Sequence, residues 1–210
     1  YKDLTGTSFN NVNLKGKDLT GAILSFANLT NAVISGIDLS NKDLRGSILS
    51  NVDLTEVDLT NANLNGATLK KANLSNNILS GTILIAADLS GANLYEAGLR
   101  NKNLSRANLS GVDLTNQDLN GTNLTFINLS DSNLNGVNLA NMNLTGANLT
   151  RVDLSDKDFT NTILTFANFT GANLSGVSLR DKDLTGVVLT GVNLDDLDLT
   201  GAKLKNTQSI

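Results

Sequence analysis

Residues 87–94 read Ala-Asp-Leu-Ser-Gly-Ala-Asn-Leu, and the five-residue unit in this stretch sets the frame of the whole chain. Counted in fives, the fourth residue is apolar in all 41 blocks from Leu4 to Leu204, and it is Leu in 37 of them. The exceptions are Phe9, Ile34, Phe159 and Phe169. No insertion or deletion interrupts the frame. An internal repeat of fixed period indicates a solenoid architecture.

The other positions of the unit predict a short strand followed by a corner. Two residues before the Leu, 14 blocks carry Ala and 9 carry Val, and the residue between them is Asp or Asn in 29 blocks. This alternation of small inward, polar outward and Leu inward residues is typical of a half-buried β-strand. The next two positions are Ser or Thr in 27 blocks and Gly or Asn in 28. They favour a tight turn whose second residue has a positive φ.

A chain that turns every five residues has no room for helices or long strands. Four blocks, or 20 residues, close one square coil, and stacked coils pair through parallel ladders about 4.8 Å apart. The absence of Pro agrees, because Pro cannot donate to a ladder. The spacing therefore predicts an all-β solenoid of about 10 coils without insertions, on the order of 50 Å long.

Three units, at residues 27–31, 87–91 and 172–176, read Ala-Asn-Leu-Thr-Asn, Ala-Asp-Leu-Ser-Gly and Ala-Asn-Leu-Ser-Gly. They match the A(D/N)LXX motif, and the chain resembles the pentapeptide-repeat family over nearly its whole length. The resemblance implies a right-handed quadrilateral parallel β-helix. We expect one such domain over residues 1–204 and a frayed C-terminal tail over 205–210, where the pattern is lost. Members of the family differ in function, so the resemblance specifies a fold rather than a role.

The composition excludes most catalytic chemistry. The chain has no Cys, His or Trp, so it lacks thiolate metal sites, Cys nucleophiles and the commonest general base and metal ligand. A Ser or Thr nucleophile would need a Lys base, and convex walls offer no cleft that excludes water. We therefore expect neither enzymatic activity, nor a cofactor, nor a metal site.

Charge and hydropathy limit which classes of partner the chain is expected to bind and whether it is expected to cross a membrane. The net charge of −4 disfavours nucleic acid as a direct partner. No apolar run approaches the ~18 residues of a transmembrane helix, and no signal peptide opens the sequence. The first residue is Tyr1 rather than Met, which indicates a fragment or a processed form. We expect a soluble chain without a membrane span, in a compartment that the sequence does not specify.

Four faces follow from a 20-residue period, and we name them after their first residues: the Lys2, Thr7, Val12 and Lys17 faces. The Val12 and Lys17 faces, together the acidic half, hold 15 of the 20 acidic and five of the 16 basic residues, a balance of −10. The Lys2 and Thr7 faces, the basic half, hold five acidic and 11 basic residues, a balance of +6. A nearly neutral chain is therefore predicted to be strongly two-sided.

The Lys17 face carries a row of Asp at its outward central position, which we call the acidic stripe: Asp18, Asp38, Asp58, Asp118, Asp158 and Asp198. The adjoining corner adds Glu56, Glu96, Asp156 and Asp196. Like charges on consecutive coils destabilise a sheet. The stripe is thus a candidate surface for binding a basic protein partner, for mimicking DNA or for binding a cation. The competing interpretation is that it only reflects the preference of this position for Asp or Asn.

The Lys2 face ends at an aromatic corner, which consists of Phe26, Phe126 and Phe166. The same face carries Ile23, Ile83 and Ile163 at its outward position. An exposed column of Phe is a candidate contact strip for a partner. The alternative is that each ring folds over a neighbouring Ile, as cross-strand pairs do.

Six blocks place Lys where a small inward residue belongs: Lys2, Lys17, Lys42, Lys102, Lys157 and Lys182. An unpaired ammonium group inside the coil would be strongly unfavourable. We expect the aliphatic stems to line the wall while the ammonium groups reach solvent or bond carbonyl groups at the corners.

The leading hypothesis is a non-enzymatic rod that binds a protein partner through a face or an end, or that serves as a structural rod. Unpaired ends would also allow end-to-end homo-association. The resemblance implies one alternative, a DNA-mimic, topoisomerase-binding protein of the quinolone-resistance type. The −10 half-surface favours that alternative, but the apolar C-terminal dimer module of those relatives has no counterpart here.

Overall fold

The computed structural model describes residues 2–195 and 197–208, and no helix occurs in these ranges. Strand β1 (Lys2–Asp3) pairs in parallel with strand β2 (Ala22–Ile23), with Lys2 opposite Ala22 and Asp3 opposite Ile23. Farther along, single parallel bridges join the coils, and every bridge links residues 20 positions apart. The chain is therefore a parallel β-solenoid whose neighbouring turns are in a 20-residue register.

The corners have the conformation that the Gly and Asn positions predict. The chain turns through a hydrogen bond across each corner, as where the amide of Ala92 donates to the carbonyl of Leu89 at 2.9 Å. The corner glycines have φ between 63° and 73°, and non-glycine corner residues, including Phe26 at 59°, share the left-handed region. Gly and Asn dominate these corners because they tolerate that region best.

The outward Asp and Asn residues stabilise the corner that follows them. Oδ1 of Asp38 accepts the amide of Ser40 at 2.7 Å, and Oδ1 of Asn108 accepts the amide of Ser110 at 3.1 Å. Asn side chains also join consecutive turns, as where Nδ2 of Asn128 donates to Oδ1 of Asn108 at 2.9 Å. The preference for Asp or Asn therefore has a structural cause in the closing of each corner.

The Leu residues form the core. Side chains from Leu24 to Leu189 at this position are buried, and two aromatic substitutes, Phe159 and Phe169, pack with ring centroids 6.3 Å apart. At roughly 2 kcal/mol for each buried Leu, this column is the main source of stability. Towards the C-terminal end the column becomes exposed, and Leu204 is 50% accessible.

The ladder continues beyond the boundary predicted at Leu204. The amide of Gly186 donates to the carbonyl of Lys205 at 2.8 Å, and Val188 pairs with Gln208. Thr207 also donates through Oγ1 to the carbonyl of Leu184 at 2.9 Å. Residues 205–208 are thus in register rather than frayed, because they still suit the corner and strand positions of the unit. The remainder of the predicted tail, residues 209–210, lies outside the described residues.

Candidate functional site

The acidic stripe lies on the surface, and all six of its Asp residues are exposed. Asp38 and Asp58 form a direct parallel bridge, so their carboxylates stand on adjacent turns. The carboxylate of Asp118 pairs with Arg100 at 3.2 Å. Beyond Asp58 the row is interrupted by Ile78 and Gly98 at the same outward position. Asp196, predicted beside the stripe, lies outside the described residues.

Each stripe carboxylate is already engaged on one side. Oδ1 accepts the backbone amide of the residue two positions later, at distances between 2.7 and 3.0 Å. Hydrogen bonds from that residue's side chain, and then from its amide, hold the pKa of Asp18, Asp38, Asp158 and Asp198 below the ordinary value of 3.8. The stripe therefore has a structural role, and it also presents charge to the solvent.

The backbone ladder is continuous on the Thr7 face and interrupted on the Lys17 face. On the Thr7 face, bridges connect every consecutive turn from Ser8 to Gln208. Among the described residues, the Lys17 face has only the Asp38–Asp58 and Ser178–Asp198 bridges. The Lys17 face therefore has fewer backbone connections than the Thr7 face, although single backbone bonds still join some of its turns, as where the amide of Asn101 donates to the carbonyl of Asn120 at 2.9 Å.

Three inward polar side chains add further contacts between the turns of this face, at intervals of 40 residues. Nδ2 of Asn77 donates to the carbonyls of Leu54 at 3.1 Å and Val57 at 3.0 Å. Nε2 of Gln117 donates in the same way to Leu94, and Nζ of Lys157 donates to Leu134 at 2.7 Å and Val137 at 3.0 Å. Each side chain reaches back to the preceding turn. The expected bonding of inward lysines to carbonyl groups is confirmed for Lys157.

The corner that precedes the Lys17 face joins its turns in pairs. Three backbone hydrogen bonds of 2.8 Å connect Asn76 to Tyr95, Asn116 to Asn135 and Asp156 to Ser175. In the intervening turns, the amides of Glu56, Glu96 and Gly136 make no such bond within the described ranges. This corner therefore alternates between closed and open intervals every 20 residues, while the corner at the other end of the Lys17 face is bonded in the intervening intervals, as between Asn101 and Asn120.

Two grooves lie at the openings beside Glu56 and Glu96, and carboxylates line them. One groove of about 320 Å³ contains Glu56, Asp58 and Ile78, and another of about 460 Å³ contains Tyr95, Glu96 and Asp113. A third groove, of about 490 Å³, is lined by both signs of charge: Asp156, Lys157, Asp158, Arg180 and Lys182. The grooves were not predicted from the sequence, although the 40-residue spacing of Asn77, Gln117 and Lys157 at inward positions indicates a departure from the repeat.

The aromatic corner is exposed, with Phe26, Phe126 and Phe166 accessible by 64%, 50% and 58%. Each ring lies against the corner glycine of the next turn, at Gly46, Gly146 and Gly186 respectively. The alternative interpretation, in which each ring folds over a neighbouring Ile, did not predict this contact with glycine. A guanidinium group, that of Arg106, lies 5.1 Å from the centroid of the Phe126 ring.

Residues 2–195 and 197–208 contain no group of three or more His, Cys, Asp or Glu residues arranged to hold a metal ion. Every buried polar side-chain atom in those ranges has a hydrogen-bond partner. The same part of the chain contains no helix with the length and apolar character needed to cross a membrane. What this surface offers to a partner is therefore charge, shallow grooves and exposed aromatic rings.

A family model, pentapeptide repeats, matches eight copies over residues 3–76, 78–165 and 167–206. Among solved structures, the chain is similar to HetL, a pentapeptide repeat protein involved in heterocyst differentiation regulation from Nostoc sp. strain PCC 7120. That match has 30% identity and a TM-score of 0.44, and it covers 100% of this chain and 89% of that one.

The plasmid-mediated fluoroquinolone resistance protein QnrB1, full length, is 18% identical with a TM-score of 0.45, and the match covers 99% of this chain and 91% of QnrB1. The pentapeptide repeat protein Rfr23 from the cyanobacterium Cyanothece 51142 is 36% identical with a TM-score of 0.28, over 52% of this chain and 62% of that one. Among curated proteins, none matches.

Proposed function

The chain belongs to the pentapeptide-repeat family, and we propose that it is a non-enzymatic protein-binding rod that engages a basic partner through its acidic half. In this proposal the rod is a right-handed, four-sided coil of 20 residues per turn, with about ten turns. The uniform 20-residue register of the bridges and the corner every five residues support that geometry.

The observation that carries the proposal is the uneven neutralisation of charge on the two halves. On the basic half, four of the five acidic residues are in ion pairs: Asp43 with Arg45, Asp88 with Lys70, Asp131 with Arg151 and Asp183 with Lys203. Within the described ranges, the acidic half has two ion pairs, Asp118 with Arg100 and Asp181 with Arg180, and only the first includes a stripe residue. The acidic half thus keeps a net field that a cationic protein surface would neutralise.

Such a field acts mainly on association. Complementary charge raises the rate at which partners meet and suppresses encounters with surfaces of the wrong sign. The acidic stripe is the proposed centre of this surface, and the aromatic corner on the opposite half is a proposed second contact strip. The partner is a protein with a basic surface rather than a nucleic acid, since phosphates would be repelled from the acidic half.

A charge-only probe tests the proposal. A fluorescent oligolysine peptide should bind the wild type, and its association should slow as salt is added. The double variant Asp38→Asn with Asp58→Asn should bind more weakly, because Asn keeps the corner hydrogen bond but removes the charge. Asp3→Asn is the matched control, since Asp3 makes the same bond to Thr5 at 3.0 Å on the basic half. Absence of binding, or equal weakening by the control, would contradict the proposal.

The alternative function is that of a DNA-mimic topoisomerase-binding protein, and the −10 half-surface is the observation in its favour. Inhibition or protection of gyrase in a supercoiling assay, lost in the double variant, would support the alternative. Oligolysine binding without any effect on supercoiling would favour another basic protein as the partner. A rod that does neither would be a structural element.

A further inference from the structure

Two exposed apolar side chains stand on neighbouring turns of the acidic half. Ile78 is 78% accessible, the highest value among the large apolar side chains in the described ranges, and Tyr95 is 63% accessible. The corner that Tyr95 occupies is tied to the turn of Ile78 by the 2.8 Å hydrogen bond from Asn76. Ile78 replaces Asp in the acidic stripe, so an apolar residue interrupts an otherwise anionic row.

The backbone next to Ile78 departs from the repeat. Leu79 has φ of 54°, and it is the one described residue outside the corners with a positive value. This region is unfavourable for Leu, yet the Leu79 side chain remains buried. The amide of Leu79 donates to Oδ1 of Asn77 at 3.2 Å, while the Asn77 amide group is held by the preceding turn.

The next turn leaves the space beside Ile78 free of a side chain. Gly98 occupies the outward position there, and it is the only one of the 18 glycines that is not at a corner. A Cβ on Gly98 would overlap the carbonyl oxygen of Ile78, so the close approach of the two backbones requires glycine. The positive φ of Leu79 and the glycine at position 98 are thus two departures from the repeat that flank the exposed Ile78 side chain.

Carboxylates surround this apolar pair. The groove beside Ile78 is lined by Glu56 and Asp58, and the groove beside Tyr95 by Glu96 and Asp113. In the described part of the chain no Lys or Arg lines either groove, unlike the third groove with its own cations. Apolar anchors inside a charged rim have the composition of a protein-binding hot spot.

We infer that Ile78 and Tyr95 form the apolar centre of a docking site for a basic protein segment that carries an apolar side chain between its cationic residues. The inference rests on the proposed function and adds to it the position of the site and the chemistry of the partner. Apolar contact with Ile78 and Tyr95 supplies affinity, and cations entering the two grooves meet Glu56 and Glu96. These grooves lie two turns apart, about 10 Å, which three residues of an extended peptide span.

Three synthetic 12-residue peptides separate the contributions: alternating Lys and Leu, alternating Lys and Ser, and alternating Glu and Leu. The chain has two Tyr and no Trp, so in a Tyr1→Phe background the intrinsic fluorescence reports on Tyr95 alone. We expect the Lys-Leu peptide to bind tightest and to change the Tyr95 emission. Ile78→Ser should weaken it about thirtyfold, as expected for the loss of a hot-spot residue.

Ile83→Ser is the matched control, because Ile83 is an exposed outward Ile on the adjacent face of the basic half and should leave binding unchanged. Equal binding of the Lys-Leu and Lys-Ser peptides, or equal weakening by Ile78→Ser and Ile83→Ser, would overturn the inference while leaving the acidic half as a binding surface. If no cationic peptide binds, the proposed function fails as well. If the chain self-associates in sedimentation experiments and Ile78→Ser abolishes this, the occupant of the site is a second copy of the chain and not a basic segment of another protein.

Discussion

Alanine in place of Gly46 tests the contact between the aromatic corner and the next turn. Gly46 and Gly66 occupy the same corner on consecutive turns, with φ of 63° and 65°. A Cβ on Gly66 would meet nothing within 4 Å, whereas a Cβ on Gly46 would lie 2.5 Å from two atoms of the Phe26 ring. Both substitutions place Ala in the left-handed region, at a cost of about 1–2 kcal/mol. Their difference therefore isolates the ring.

The size of that difference follows from the burial of Phe26. The residue is 64% accessible, so about a third of a side chain that can bury 150–250 Å² is covered, or roughly 70 Å². At about 25 cal/mol per Å², displacing the ring loses up to about 2 kcal/mol. We expect Gly66→Ala to lower the free energy of unfolding by about 1–2 kcal/mol and Gly46→Ala by about 2–4 kcal/mol.

Urea denaturation followed by circular dichroism measures both losses, provided that the slope with denaturant stays constant. In a Phe26→Ala background the ring is absent, so Gly46→Ala should cost no more than Gly66→Ala. This double-mutant cycle makes Gly66 the internal control. Equal losses at Gly46 and Gly66 in the wild-type background would refute the contact, as would an excess at Gly46 that persists without the ring.

Leu104→Ala should cost about 2–5 kcal/mol because it opens a cavity in the buried column, and half-exposed Leu204→Ala should cost far less in urea denaturation. Lys157→Ala should destabilise by about 1–2 kcal/mol through lost carbonyl bonds. Burial lowers the pKa of both Lys102 and Lys157, but the ammonium group of Lys102 has no hydrogen bond in the described ranges, so Lys102→Ala should be neutral or stabilising. Equal effects of the two Lys variants would contradict this distinction. Asp38→Asn should melt at a higher temperature than the wild type, and the difference should grow as ionic strength is lowered. A difference in melting temperature that does not depend on salt would argue against repulsion within the stripe. The Asp residues that accept corner amides have lowered pKa values in the folded protein. The stability that they contribute to the fold is therefore complete above the ordinary pKa of 3.8 and is lost as pH falls through the folded-state pKa. A melting temperature that rises on acidification below 3.8 would contradict this.

The fold could be predicted because each position of the five-residue unit has one physical task. The fourth residue fills the core, the third closes the corner through its side-chain oxygen, and Gly or Asn accepts the positive φ. The boundary at Leu204 was predicted too early for the same reason. Lys205 and Gln208 do not resemble the consensus, yet their carbonyls still accept ladder hydrogen bonds, which depend on the backbone and not on the side chain.

The surface was less predictable, because its contacts join residues about 20 positions apart. The position of the acidic stripe follows from counting, and so does the column of Phe residues. The bonds of Asn77 to Leu54 and Val57 do not, since they depend on how far neighbouring turns separate. The positive φ of Leu79, two residues after Asn77, is likewise not indicated by any local preference of Leu.

The uneven distribution of bridges should make the rod easier to stretch along the Lys17 face than along the Thr7 face. The Thr7 face has a bridge at every turn, so stretching it breaks backbone hydrogen bonds. The Lys17 face has fewer such bridges, and side chains such as Asn77 and Lys157 contribute a larger share of its connections; these can lengthen by rotation about side-chain torsions. Bending should therefore widen the acidic side more easily than the Thr7 side, so the rod curves with its charged, grooved surface outward. Amide hydrogens on the Lys17 face should exchange with solvent sooner than those on the Thr7 face. A partner with a concave surface would bend the rod most easily when it binds the acidic side, where the charge also favours binding.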